Sequence, residues 1–331
     1  MQSHTPQTRR EFMHRSITVA AAAAAGVRTT ARGESDPAGR GSAWPIACRD
    51  AILREAGEPD IWAAMRAVGV DGAEVTVNPD LRLPVLFDPA KTYSIATPES
   101  RKMLAEELRR HGKRITAFCL HSRFDERPEQ EIELTITTAR AAAELGAPAV
   151  RLDMVPRKIN DLDAFLNFAV DTGRKIVEGT GDIAVRFGVE NHGPVTNRPD
   201  FLRRLFDGVG SKRFGLTLDV GNFYWFGHPL SKVYDLCAEF APWTCHVHCK
   251  NIRYPQADRE RQRDMGHRYA DCRCPIDEGD IDYARFAQVL RQHGYRGDLC
   301  IDDESLGTFP KDQRGAILKR QVGFLQRIAS P

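Results

Sequence analysis

The sequence predicts an α/β protein folded as a closed (β/α)8 TIM barrel, a single domain over residues 41–331 behind a signal segment and linker at 1–40. Three observations predict it. Eight short apolar runs alternate with eight longer amphipathic stretches, the order that makes parallel strands with crossover helices. The runs are apolar almost throughout rather than at every second residue, as in strands covered on both faces. Residues 41–331 hold eight such units, and about 250 residues is usual for this barrel. An open doubly wound sheet is the alternative. Against it, no Gly-x-Gly-x-x-Gly follows an early strand, so the dinucleotide-binding signature is missing.

The elements follow in order. "PIAC" at 45–48 is the first strand and 58–68 the helix behind it. "GAEVTV" at 72–77 precedes a helix over 97–111, where Thr97-Pro98-Glu99-Ser100 combines a capping residue with an early proline. "RITAFCL" at 114–120 leads to a helix over 128–145, and "AVRLDM" at 149–154 to one over 161–178. "IAVRFGVEN" at 183–191 leads to 198–208, again with a cap and a proline in Asn197-Arg198-Pro199-Asp200. "FGLTLDVGN" at 214–222 precedes a helix over 229–240. "TCHVHCKN" at 244–251 is the seventh strand, followed by a long loop and a helix at 281–293; "DLCIDDE" at 298–304 and a helix over 311–328 close the barrel.

Charge is nearly balanced, 47 basic against 45 acidic residues, which removes any global electrostatic case for nucleic acid or an anionic membrane as partner. The N-terminus has a different character. Thr8-Arg9-Arg10-Glu11-Phe12-Met13 matches a twin-arginine export signal, and the alanine-rich run Ile17 to Val27 behind it is too short and weakly apolar for a membrane span. The expectation is export to the periplasm or outside the cell, with no stable membrane anchor afterwards. Eight cysteines show no small-scaffold disulfide framework; most are expected as buried thiols, with Cys272 and Cys274 the exposed pair.

The stretch "CHVHCKN", Cys245 to Asn251, invites a zinc reading. On a strand, side chains alternate, so His246, His248 and Lys250 share one face while Cys245, Val247 and Cys249 share the other. The cysteines of this stretch point away from its histidines, which argues against a thiol-plus-imidazole cage. In a closed barrel chemistry sits at the C-terminal strand ends. Strand five ends in Glu190 and His192, strand six in Asp219 and Asn222, strand seven in His248, strand eight in Asp302, Asp303 and Glu304. Glu190, Asp219 and His248 lie 29 residues apart at each step, one βα unit, which predicts the same level on three consecutive strands. Any one of them alone reads equally well as a core histidine or a helix cap. Together, three carboxylates and an imidazole repel unless a cation joins them, and such a donor set suits one divalent ion: Mn²⁺, Mg²⁺, Co²⁺ or Zn²⁺.

"VENHG", "LDVGNF", "HVHCKN" and "GYRGDLCIDDES" together resemble the xylose isomerase-like TIM barrels, the sugar phosphate isomerase/epimerase group, over residues 45–328. The resemblance implies that Glu190, Asp219 and His248, the second histidine of His-x-His-x-Lys, bind one divalent metal. The fourth ligand is the first acidic residue of an Ile-Glu-x-Glu ending, here replaced by the shorter Asp302 of Ile301-Asp302-Asp303-Glu304. It further implies isomerisation or epimerisation of a sugar or sugar derivative through a metal-held enediolate, with Glu190 in one acid/base role and Asp302 or Glu304 in the other. His192, Asn222, Arg151, Glu74, His246 and Arg253 are the substrate-contact candidates, and salt-bridged mouth residues the plainer reading of them. A dehydratase on a keto-polyol using the same site, and a non-catalytic carbohydrate-binding barrel, are the alternatives. The partner is a small sugar or polyol, and a homo-oligomer is compatible with the chain.

The loop 252–274 carries Arg253, Arg259, Arg261, Arg263, Arg268 and Arg273. It reads as a lid over an acidic or phosphorylated sugar or, with acidic residues interspersed, as a solvated charged loop. The leader generates the first prediction: Arg9→Lys with Arg10→Lys should trap the protein in the cytoplasm. Fractionation showing undiminished export of that variant would exclude the twin-arginine route.

Overall fold

The structure, a computed structural model, describes residues 43–330 other than residue 182. The segment read as a twin-arginine leader, with Arg9 and Arg10, lies outside the described residues. Eight parallel strands close into a barrel: β1 (Ile46–Arg49), β2 (Gly72–Thr76), β3 (Arg114–Leu120), β4 (Ala149–Leu152), β5 (Arg186–Glu190), β6 (Phe214–Asp219), β7 (Thr244–Cys249) and β8 (Leu299–Ile301). The ring is completed by β1 pairing with both β2 and β8. Behind the strands run α1 (Ile61–Val68), α2 (Pro98–His111), α3 (Pro128–Leu145), α4 (Leu162–Gly179), α5 (Pro199–Val209), α6 (Leu230–Phe240), α7 (Tyr283–Gln292) and α8 (Lys311–Ala329). The eight predicted helices match these within a few residues. Among the described residues no helix is long and apolar enough to cross a membrane.

Local chemistry accounts for the helix starts. Thr97 and Ser100 form a full capping box at α2, and Asp60, Asp161 and Asp282 cap α1, α4 and α7 through their carboxylates. The expected cap at Asn197 is different. Arg198 is the residue before α5 and makes no side-chain cap, because the Asn197 amide is taken by Asn191 and by the Gly193 carbonyl.

Strand ends are where sequence and structure part. The sixth strand stops at Asp219, since the Asp219 carboxylate accepts the Asn222 amide N–H at 2.9 Å and starts a short helix, Val220–Trp225. The eighth stops at Ile301, leaving Asp302, Asp303 and Glu304 in the loop behind it. Nor do the three equally spaced residues share a level. Asp219 pairs with His248, but Glu190 pairs with Thr217, because the closed sheet is staggered from strand to strand.

Alternation sorts each strand between two environments. Phe187, Val189, Phe214, Leu216, Leu218, Val247, Leu299 and Ile301 belong to the large apolar core formed with the helices. Their neighbours in sequence point into the barrel, and there the residues are small or charged. Glu74 of β2 touches His246 and His248 of β7, although β1 and β8 lie between those strands, so this contact crosses the interior. Small residues make room: a Cβ at Gly188 would crowd the Thr217 hydroxyl and amide, and one at Gly215 would overlap the Trp243 carbonyl oxygen. Gly215→Ala should therefore cost about 1–3 kcal/mol of stability through overpacking. Denaturant unfolding at the wild-type midpoint would show the barrel yielding there.

Candidate metal and substrate site

Glu190, Asp219, His248 and Asp302 converge at the C-terminal mouth, each buried and each offering a ligand atom within 4.8 Å of the others. Every carboxylate of the group has a cation behind it. Arg151 of β4 ion-pairs with Glu190 Oε2. Lys250, just past β7, approaches Asp219 Oδ2 at 3.2 Å, and Arg49 of β1 donates to Asp302 Oδ1 at 2.9 Å. The opposite oxygens of Glu190 and Asp302 face His248, whose Nδ1 lies 3.1 Å from Glu190 Oε1 and 3.6 Å from Asp302 Oδ2, while Asp219 Oδ1 accepts the Asn222 N–H. Burial opposes charge on all of these groups. Arg151 and His248 nevertheless hold Glu190 well below the usual carboxylate range, and Arg49 with His248 lowers Asp302. Asp219 is the exception: desolvation, with Glu190 and Asp302 nearby, pushes it up to about 6 despite Lys250.

The donor set fits a divalent ion. Asp219 Oδ2 is buried with no hydrogen bond and only the Lys250 ammonium, 3.2 Å away, beside it, and oxygen and imidazole donors suit a hard or borderline cation. His248 Nε2 lies 2.6 Å from Glu74 Oε2, so its second nitrogen, Nδ1, is the one turned to the carboxylates. A carboxylate behind a histidine is the usual device for orienting a metal-ligating imidazole.

Glu74 and His246 are not where substrate could meet them. Both are almost wholly buried below the mouth, 1% and 0% exposed. Glu74 Oε2 accepts from His246 Nε2 at 2.8 Å as well as from His248, and Arg49 Nε approaches Glu74 Oε1 at 3.1 Å. His246 Nδ1 meets Asp298 at 2.7 Å. Burial disfavours charge on His246, but Asp298 and Glu74 outweigh it and lift its pKa to about 9. These two residues support the site instead of lining it. Arg151 is likewise buried and committed to Glu190 and Asp153.

His192 and Asn222 do reach the mouth. Asn222 donates to Glu190 Oε1 at 3.1 Å from its short helix. With Trp225, Lys250, Tyr269 and Glu304 they line a cavity of about 190 Å³. That is room for about six waters, and so for a small polar molecule. Glu304 is bridged by Lys250 Nζ at 2.8 Å and Tyr269 hydroxyl at 2.9 Å, while Asp303 turns away to Gln321 of α8. Arg253 is not drawn in: its side chain is exposed and has no ion pair among the described residues.

The loop 252–274 is built rather than merely solvated. Asn251–Ile252 pairs with Arg273–Cys274 in a two-stranded hairpin. Arg263 is buried between the Tyr224 and Tyr254 rings, 4.5 and 4.4 Å from their centroids, and donates to the Tyr224 and His228 carbonyls. Cys272 and Cys274 are thereby covered, not exposed; all eight cysteines are buried free thiols. Cys249 lies on the outer face as expected, in the apolar core. Cys245 does not: the register shift between β6 and β7 falls at it, and its Sγ lies 3.5 Å from the Phe187 carbonyl of β5, beyond β6. Cys300 stands inside beside Glu74, His246 and His248.

Sequence reading missed Arg49, Asp153 and His121. Arg49 fell one residue beyond the predicted first strand. Asp153 shares parity with Arg151, which was the available signal, and it ion-pairs with Arg151 at 2.9 Å between the half-exposed His121 and His192. Because one Glu74 carboxylate serves two imidazoles and a guanidinium, Glu74→Gln should cost about 3 kcal/mol or more, the scale of a broken buried ion pair. A loss under about 1 kcal/mol in denaturant titration would show that the interior network is not ionic.

Comparison with known proteins agrees with this architecture. A model of the xylose isomerase-like TIM barrel matches residues 62–328. An uncharacterized protein of Methanocaldococcus jannaschii, MJ1311, is 25% identical over 167 residues, 49% of this chain and 51% of its own length, so the match spans about half of that relative. Three solved structures share the fold. The IOLI protein with a bound zinc atom has a TM-score of 0.62 at 14% identity, covering 85% of this chain and 97% of its own. A Mycobacterium smegmatis barrel in complex with magnesium gives 0.60 at 17%, covering 87% and 97%. The E. coli 3-keto-D-glucoside 4-epimerase YcjR, in apo form, gives 0.60 at 13%, covering 86% and 99%. The family model spans well over half of the sequence, and the chain belongs to the xylose isomerase-like TIM barrel family.

Proposed function

We propose that this protein is a metal-dependent isomerase or epimerase of a small sugar or sugar derivative, exported by the twin-arginine route. The observation that carries the reading is the convergence of Glu190, Asp219, His248 and Asp302 beside a small cavity at the barrel mouth. The zinc and magnesium bound by two barrels of this fold, and the epimerase activity of a third, support it.

Those four residues would hold one divalent ion, which would polarise a carbonyl and stabilise the negative charge of an enediolate. The chain's own groups supply the rest. Glu190, kept ionised by Arg151, takes a proton from the carbon beside the carbonyl. Its C–H pair becomes the new C=C bond and the carbonyl oxygen takes the charge. The second acid/base role falls to Glu304 rather than Asp302. Glu304 lines the cavity with its side chain 42% exposed, and Asp302 keeps the ion-holding role. Asn222 and Lys250 fix the carboxylates between which substrate sits, and the half-exposed His192 is the substrate contact on the far rim.

Metal analysis of the purified mature protein should find one divalent ion per chain. His248→Ala should lose most of it, and Cys245→Ala with Cys249→Ala should keep it. Asp302→Ala should weaken affinity much more than Glu304→Ala. In D₂O, a panel of ketoses should include one that gains deuterium next to its carbonyl. Metal loss in the cysteine pair, or no exchange into any of the panel, would overturn the reading; loss of water from the exchanged substrate would make the enzyme a dehydratase.

A further inference from the structure

Asp302 is one methylene shorter than the glutamate its position resembles, roughly 1.5 Å of reach from bond geometry. Metal–oxygen distances tolerate only about ±0.2 Å. Something must bring this carboxylate to the site. The register of the barrel shows what stands next to it. Cys48 of β1 pairs with Ile301 of β8, so the following residues, Arg49 and Asp302, are lateral neighbours. On its other side Arg49 pairs with Glu74 of β2. The guanidinium spans both: Nε to Glu74 Oε1 at 3.1 Å and Nη1 to Asp302 Oδ1 at 2.9 Å. Glu74 Oε2 in turn takes His248 Nε2 at 2.6 Å, and His248 Nδ1 faces Asp302 Oδ2 at 3.6 Å. Four side chains from four consecutive strands of the barrel thus close a ring.

Resting on the proposed metal site, we infer that Arg49 is a positioning residue that enables the short Asp302 to serve as fourth ligand. It grips Oδ1, which turns Oδ2 toward the nitrogen of His248 that faces the site. Its planar fork is suited to holding two carboxylates at once, and Glu74 anchors it so that the pull on Asp302 has a fixed origin.

The sign of one substitution separates this role from a merely electrostatic one. A guanidinium beside a cation site repels the ion, so if charge were its only influence Arg49→Ala would tighten metal binding. Positioning predicts the reverse. Mn²⁺ titration by calorimetry on the full mature chain should show Arg49→Ala about 10–100-fold weaker than wild type, the usual cost of losing a residue that orients a ligand. Arg49→Lys, which keeps the charge but not the fork, should also be weaker, and it serves if the alanine variant does not fold. Asp302→Glu introduced with Arg49→Ala should restore most of the affinity, because the longer side chain reaches the ion unaided. Equal or tighter binding in both single variants, or no recovery in the double variant, overturns the inference while leaving the metal site standing. Wild-type protein that binds none of Mn²⁺, Mg²⁺, Co²⁺ or Zn²⁺ overturns the metal site and this inference with it.

Discussion

The Glu74 carboxylate, shut inside the barrel, is the interaction on which the rest of the site depends. It is desolvated, which raises its proton affinity, yet His248, His246 and Arg49 outweigh that and keep it ionised. One oxygen faces the guanidinium of β1 and the other faces both imidazoles of β7. A single group thereby sets the tilt of His248, the anchor of Arg49 and, through His246, the link to Asp298 before β8. Buried ions of this kind contribute little net stability, because desolvation cancels most of the attraction. Their consequence is geometric: each member is over-determined by the others, so the mouth above inherits fixed donors.

Such an interior is possible only because the apolar load is carried elsewhere. The outward-facing strand residues, Phe118, Phe187, Phe214 and Leu216 among them, pack against the helices and supply the hydrophobic driving force. Inside, Ala47, Gly72, Ala117, Ala149, Gly188 and Gly215 leave the volume that long side chains from other strands occupy. A barrel with bulky branched residues in its inner layers has no room for an imidazole pair on β7 and a glutamate on β2 to meet.

This division explains what was legible in the sequence. The fold rests on runs of apolar residues and on caps such as Thr97-Pro98-Glu99-Ser100, all local signals, and the helices fall where those signals put them. The four converging side chains were legible too, since each sits at a strand end beside a recognisable motif. What local signals do not contain is the stagger of the closed sheet. Equal spacing of 29 residues implied one level for Glu190, Asp219 and His248, whereas the register offsets Glu190 by one inward-facing position. Nor does a strand pattern tell how deep a residue lies. Glu74 and His246 have the parity of mouth residues and are buried beneath it, and Arg49, a residue outside every motif, holds Asp302.

The pairing of carboxylates with cations has a consequence for how the chain folds. Burying Glu190, Asp219 and Asp302 together without compensation would be prohibitive, and in many metalloproteins the ion itself removes that cost. Here Arg151, Lys250 and Arg49 each stand behind one carboxylate and occupy only one of its oxygens. The charge is largely balanced by the chain while Glu190 Oε1 and Asp302 Oδ2 stay turned toward His248. Three counter-cations therefore do two things at once. They let the barrel close as a folded unit on its own residues, and they orient the carboxylates toward a common point. Folding and ligand geometry are thus solved by the same contacts, all of them on or just past β-strands, while the long loop after β7 contributes only Tyr269 to the cavity lining.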